Sequence, residues 1–171
     1  MDKYDEARIR MLKRYESMIN EDYSTLWEHW VKAEGTSNHA WSGGPLVIMS
    51  KYFAGIRPLE AGYSEFIIKP QLTGIDKINC VVPSVKGYIT VTGSKTDNGF
   101  VLDASVPKGT TAYICIPCTG SQAVNLNGSV IYKDNTVSDT DSVAFVEAGD
   151  GYVEFAVKSS KNTHLLFEAA G

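Results

Sequence analysis

The segment Leu46-Val47-Ile48-Met49-Ser50-Lys51-Tyr52-Phe53-Ala54-Gly55-Ile56-Arg57-Pro58 is where this chain changes its period. Residues 46–54 are apolar on nearly every side and follow Gly43-Gly44-Pro45, where a proline suits the first turn of a helix. Gly55 suits the end of that helix, and Pro58, which has no N–H, forbids its continuation. A helix without a polar face needs cover all round. Upstream of this segment the apolar residues fall at helical steps; downstream they alternate. We therefore expect a helical segment over 1–58 and a β domain over 59–171.

Upstream, Tyr4, Met11, Leu12, Tyr15, Met18 and Ile19 form one stripe at three- and four-residue steps, which predicts an amphipathic helix over 4–20. Ser24 and Thr25 suit the cap of a short helical turn carrying Trp27, Glu28 and Trp30. Residues 35–44, rich in Gly, Ser and Asn, read as a loop. Downstream, strands are expected over 65–69, 78–82, 87–92, 100–106, 111–116, 123–126, 130–133, 143–146, 152–158 and 163–168. Asn127-Gly128 is the strongest hairpin signal. Asp97-Asn98-Gly99, Lys108-Gly109 and Gly149-Asp150-Gly151 mark further turns. Many short strands between regular turns define an antiparallel β-sandwich, so the fold class is mainly β with N-terminal helices. In Val153-Glu154-Phe155-Ala156-Val157 the odd positions should face the core. The helical part cannot cover 46–54 by itself. Either it packs on the sandwich or its neighbours lie outside this chain.

The chain has 171 residues, 43% apolar and 21% charged, with a formal net charge of −4. No basic patch stands out to neutralise phosphates, which argues against a nucleic-acid partner. Arg8, Arg10, Lys13 and Arg14 are flanked by acids and read as a solvated helix face. No apolar run is long enough for a membrane-spanning helix, so no membrane partner is expected. Met1-Asp2-Lys3-Tyr4-Asp5-Glu6 lacks the apolar segment of a signal peptide. Of the three cysteines, Cys115 and Cys118 have the spacing of metal and redox sites. No second pair exists and they follow an alternating strand, so strand-end thiols are the expected reading. Gly43-Gly44 opens a helix but lacks the strand and Lys of a phosphate loop.

The chemistry concentrates in Tyr23-Ser24-Thr25-Leu26-Trp27-Glu28-His29-Trp30 and Gly35-Thr36-Ser37-Asn38-His39-Ala40-Trp41-Ser42-Gly43-Gly44-Pro45. Indole faces stack on the C–H faces of sugars, and carboxylates perform the acid–base steps of glycosidic cleavage. The bland readings are a solvated carboxylate at Glu28, a loop-capping His39, and core roles for Trp27, Trp30 and Trp41. His29 and His164 are read as structural.

Residues 23–93 resemble the C-terminal part of the bacterial inverting α-L-rhamnosidases, family 78 of the glycoside hydrolases. Ser24-Thr25-Leu26-Trp27-Glu28 and the Thr36–Pro45 stretch carry the likeness. So do Tyr52-Phe53-Ala54-Gly55-Ile56-Arg57-Pro58, Gly62-Tyr63, Pro70 and Val82-Pro83-Ser84-Val85-Lys86-Gly87. The resemblance implies that residues 4–55 are the last helices of an incomplete six-hairpin (α/α) barrel and that 60–171 are its C-terminal sandwich. It implies Glu28 as the general base, His39 as a sugar-hydroxyl contact, and Trp27 and Trp41 as pocket walls. No stretch matches the family's general acid, so the chain alone is expected to be inactive. The implied partners are a rhamnose-containing glycan and the missing N-terminal catalytic part of the same enzyme. Self-association through exposed helices is also expected. The chemistry calls for no metal or other cofactor. The alternative is a standalone carbohydrate- or protein-binding sandwich without catalysis. A further alternative is a subunit that completes a barrel from another chain.

Overall fold

The computed structural model describes residues 3–19, 22, 24–119, 122–138, 140–149 and 151–170. Contacts divide the chain into two compact units, residues 1–49 and 50–171.

The first unit opens with α1 (Tyr4–Tyr15), which tightens into a 3-10 turn over Glu16–Met18. Asp5 and Glu6 sit in its first turn, Lys13 and Arg14 in its last, each complementing the helix dipole. The helix expected to reach residue 20 thus ends at Tyr15, and Asn20 lies outside the described residues. Its apolar stripe is only partly covered: Met18 is buried, whereas Leu12 and Ile19 are exposed. Trp30 packs edge-on against Tyr15, ring centroids 5.1 Å apart, with the Arg14 guanidinium 5.6 Å from its centroid.

The helical turn expected at 24–30 is not formed. The Thr25 hydroxyl donates to the Ser37 carbonyl instead of capping a turn. The Glu28 N–H donates to the Thr36 carbonyl at 3.0 Å, and the His39 N–H to the Leu26 carbonyl at 3.3 Å. These bonds across the loop satisfy backbone groups that a helix would otherwise use. Regular structure is confined to 3-10 turns at Lys32–Glu34 and Ala40–Gly43. Helix α2 (Gly44–Ile48) follows, with Pro45 in its first turn, and continues as a π-turn over Met49–Phe53. Leu46, Val47, Met49 and Tyr52 are exposed, while Phe53 and Ala54 are buried. Gly55 ends the run at φ +73°, where a Cβ would lie 2.0 Å from the Lys69 carbonyl oxygen.

The second unit is a β-sandwich. One sheet has five strands in the order β1 (Ile56–Pro58), β2 (Glu65–Ile68), β6 (Thr111–Pro117), β11 (Tyr152–Lys158) and β10 (Ala144–Gly149). The other has seven, in the order β3 (Lys77–Ser84), β4 (Gly87–Thr96), β5 (Gly99–Val106), β12 (Thr163–Ala170), β7 (Ala123–Leu126), β8 (Ser129–Lys133) and β9 (Thr136–Val137). Pairing is antiparallel except between β2 and β6. The inner faces meet in one core that includes Phe66, Ile68, Ile89, Leu102, Ile114, Phe155, Leu165 and Phe167. Val153, Phe155 and Val157 are buried, in the alternation read from the sequence. Asn127 and Gly128 join β7 to β8 with φ +50° and +84°, the double positive φ of a type I′ turn. Strands β1 and β9 were not expected, being too short to show a period.

The Cys115 thiol lies buried on β6 with its Sγ 3.1 Å from Glu154 Oε2, while the Cys118 Sγ lies 3.6 Å from the Gln122 carbonyl. The two thiols have different neighbours, both are free, and burial raises the pKa of each. Such thiols are poor nucleophiles.

Candidate functional site

The first unit gathers Trp27, Glu28, Trp30, Trp41 and Ser42, with Tyr15 and Met18, around a depression of about 200 Å³. It is tied together across the loop. The Trp41 indole N–H donates to the Glu28 carbonyl at 3.0 Å, and the Ser42 hydroxyl to the Trp27 carbonyl. Backbone groups of residues 26–28 are thereby held by residues 36–42, which fixes where Glu28 can point.

The Glu28 carboxylate has two unlike oxygens. Oε2 accepts the Thr36 backbone N–H at 3.0 Å and the Thr36 hydroxyl at 3.1 Å, the latter shared with the Asn38 carbonyl at 3.2 Å. Oε1 faces two imidazoles instead, His29 Nε2 at 3.7 Å and His39 Nε2 at 3.9 Å. The side chain of Glu28 is 22% exposed. The Thr36 N–H holds its pKa below the ordinary carboxylate value; partial burial opposes this, while the Thr36 hydroxyl, and His39 and His29 when protonated, act with the N–H.

His39 combines its two readings in one ring. Its Nδ1 accepts the Trp41 backbone N–H at 3.4 Å and caps the 40–43 turn, while Nε2 is turned to Glu28. The Trp41 ring lies 4.5 Å from the His39 ring and edge-on to His29 at 6.2 Å, and is 66% exposed. Trp27 is 7% exposed and borders the depression from within the unit. The four residues singled out from sequence therefore lie together. Three others at the site were not singled out as functional: His29, Thr36 and Gly35. A Cβ on Gly35 would lie 2.5 Å from His29 Cδ2 and 3.0 Å from Glu28 Oε2. The sequence signal for it was a glycine immediately before Thr36. His164 lies elsewhere, on β12, with its Nε2 2.7 Å from Asp103 Oδ1.

Residues 55–130 match the family described as the bacterial alpha-L-rhamnosidase C-terminal domain. Alpha-L-rhamnosidases of Streptomyces avermitilis and Formosa agariphila are each 28% identical to the chain, over 151 and 120 residues. Those alignments cover 81% and 64% of this chain but only 14% and 13% of the relatives, so the chain spans a small part of their length. Among solved structures, the alpha-L-rhamnosidase of Dictyoglumus thermophilum superposes with a TM-score of 0.73 at 24% identity, over 92% of this chain and 17% of that one. The Streptomyces avermitilis enzyme, solved in complex with L-rhamnose, superposes with a TM-score of 0.62 at 26% identity, over 83% and 13%.

Helices followed in the chain by a two-sheet sandwich, with residues 55–130 similar to a rhamnosidase C-terminal domain, make this chain similar to a part of much longer glycoside hydrolases. In sequence and fold the chain is similar to the C-terminal part of bacterial α-L-rhamnosidases.

Proposed function

We propose that this chain is the C-terminal end of an inverting α-L-rhamnosidase in which Glu28 is the general base. Inversion requires one carboxylate to deprotonate the attacking water and a separate carboxylic acid to protonate the leaving oxygen. The observation that carries the reading is the asymmetry of Glu28. Thr36 holds Oε2 in two hydrogen bonds and lowers the pKa, so the group is ionised at neutral pH, and Oε1 is turned to the imidazoles. A bound sugar would desolvate the carboxylate and push its pKa back up, towards the range where a general base works best.

In this reading His39 contacts a sugar hydroxyl through Nε2, and Trp27 and Trp41 wall the subsite. Residues 4–55 close a six-hairpin barrel whose other helices, with the general acid, come from outside this chain. The exposed side chains of Leu46, Val47, Met49 and Tyr52 are the surface those helices cover. The chain by itself does not hydrolyse rhamnosides.

The test is a chimera in which this chain replaces the matching C-terminal segment of the Streptomyces avermitilis enzyme. It should release β-L-rhamnose first from an aryl α-L-rhamnoside. Glu28→Gln should lower kcat by roughly 10²–10⁴-fold. Turnover that survives Glu28→Gln overturns the assignment. A glycan-binding sandwich has less in its favour. Its described strands expose two aromatic rings, Tyr88 on β4 and Phe145 on β10, in different sheets and so not in a row.

A further inference from the structure

We propose that His29 is a positioning residue that, with His39, orients the water taken up by Glu28. The inference rests on the reading of Glu28 as the general base. Its observations are the placement of two imidazoles on one carboxylate oxygen. His29 Nε2 and His39 Nε2 stand 3.7 and 3.9 Å from Oε1, too far for direct hydrogen bonds. A water bonded to Oε1 lies within reach of both. Oε2 is already engaged by the Thr36 N–H and hydroxyl, which directs the water to Oε1.

The two rings have unequal roles. His39 Nδ1 accepts the Trp41 N–H and therefore carries no proton, so Nε2 carries one and donates. His29 supplies the complementary partner, an Nε2 that accepts. The water then accepts from His39, donates one hydrogen to Oε1 and the other to His29, and keeps one lone pair for the anomeric carbon. Without His29 the second hydrogen has no fixed direction, and that lone pair is not aimed.

His29 is held for this role by the loop. Adjacent side chains commonly diverge, but Gly35 leaves open the volume that the His29 ring occupies: a Cβ there would come within 2.5 Å of His29 Cδ2. The ring also meets Trp41 edge-on at 6.2 Å, and Trp41 is anchored by its indole N–H to the Glu28 carbonyl. His29, Gly35, Trp41 and Glu28 thus fix one another.

The experiment is nuclear magnetic resonance of the full chain with ¹⁵N-labelled histidine and ¹³C-labelled glutamate carboxyls. His39 should appear as the Nε2–H tautomer and His29 as the Nδ1–H tautomer, the less common form of a free imidazole. The Glu28 carboxyl titration curve should change in His29→Gln, because the group facing Oε1 is replaced, while a Glu28 titration remains. His29 as the Nε2–H tautomer, or a Glu28 curve unaltered by His29→Gln, overturns the proposal. Added L-rhamnose tests the underlying reading separately: it should move the Trp41 indole and Glu28 carboxyl signals. Failure there removes the sugar subsite without altering the tautomer result.

Discussion

Gly35→Ala is the sharpest test of how the Glu28 loop is built. The backbone at this position is extended, φ −160° and ψ −166°, so alanine brings no backbone strain. The whole effect comes from the added methyl group. It would sit 2.5 Å from His29 Cδ2 and 3.0 Å from both Glu28 Cβ and Oε2. Ordinary contact between carbons is about 3.5–4.0 Å, so the imidazole must retreat by about 1 Å and Glu28 by about half that. Such a retreat stretches the Thr36 bonds to Oε2, now 3.0 and 3.1 Å, to the limit of hydrogen bonding. His29 is half-exposed and can swing away, which puts the steric cost at the low end of the overpacking range, about 1 kcal/mol. The variant should therefore fold, and the Glu28 carboxyl should titrate closer to its ordinary value. The sign of the stability effect follows. A carboxylate with a lowered native pKa contributes stability above its unfolded value and loses it as the pH falls through the native one. That part of the difference between wild type and Gly35→Ala is thus greatest at neutral pH and shrinks on acidification; the steric part stays. Carboxyl ¹³C titration and denaturant unfolding at several pH values measure the two parts. Gly43→Ala is the control, since a Cβ there meets nothing within 4 Å and φ is −69°. An unchanged Glu28 titration in Gly35→Ala would refute the account.

Thr36→Val removes the hydroxyl donor to Oε2 but keeps the backbone N–H, the larger influence, so the Glu28 pKa should rise only part of the way back. Carboxyl titration of the variant checks the order of the two effects. Gly128→Ala and Gly55→Ala both impose positive φ on alanine, +84° and +73°, but only the second also meets backbone, at 2.0 Å from the Lys69 carbonyl oxygen. Gly128→Ala should cost about 1–2 kcal/mol of sandwich stability and Gly55→Ala clearly more, as read from denaturant midpoints; equal losses would contradict the packing at Gly55. Leu46 is 68% exposed, and replacing Leu46 and Val47 together by Gln should lower self-association in light scattering; unchanged association would rule this face out.

The sandwich was legible because its signals are local and repeated. Alternation on β11 and the Asn127-Gly128 turn each specify a geometry that the neighbouring strands accept. Strand β1 escaped because three residues cannot display a period, and what makes it a strand is pairing with Phe66–Ile68. The stretch at 24–30 misled for the opposite reason. Ser24 and Thr25 carry genuine capping potential, but the Thr25 hydroxyl finds the Ser37 carbonyl twelve residues away. Propensity yields to a partner that the sequence does not reveal. Residue types and family resemblance single out Glu28, His39, Trp27 and Trp41 as candidates, and the structure places them near one another. The contact of His29 with Gly35 has no such signal, since it is a contact between a ring and a missing side chain.

That contact bears on how the Glu28 carboxylate keeps its geometry. The bonds that orient Glu28 run from residues 25–28 to residues 36–42: Thr25 to Ser37, Leu26 to His39, Trp27 to Ser42, and Glu28 to Thr36 and Trp41. All of them close within one short loop, so local structure orients the carboxylate. The apolar side chains of Leu46, Val47 and Met49 have the opposite character, being exposed. A catalytic base is most useful when its direction is set before substrate arrives, because no reorganisation is then paid during the reaction. By that argument the direction of the Glu28 carboxylate is set by the loop itself, as the proposed role of a general base requires.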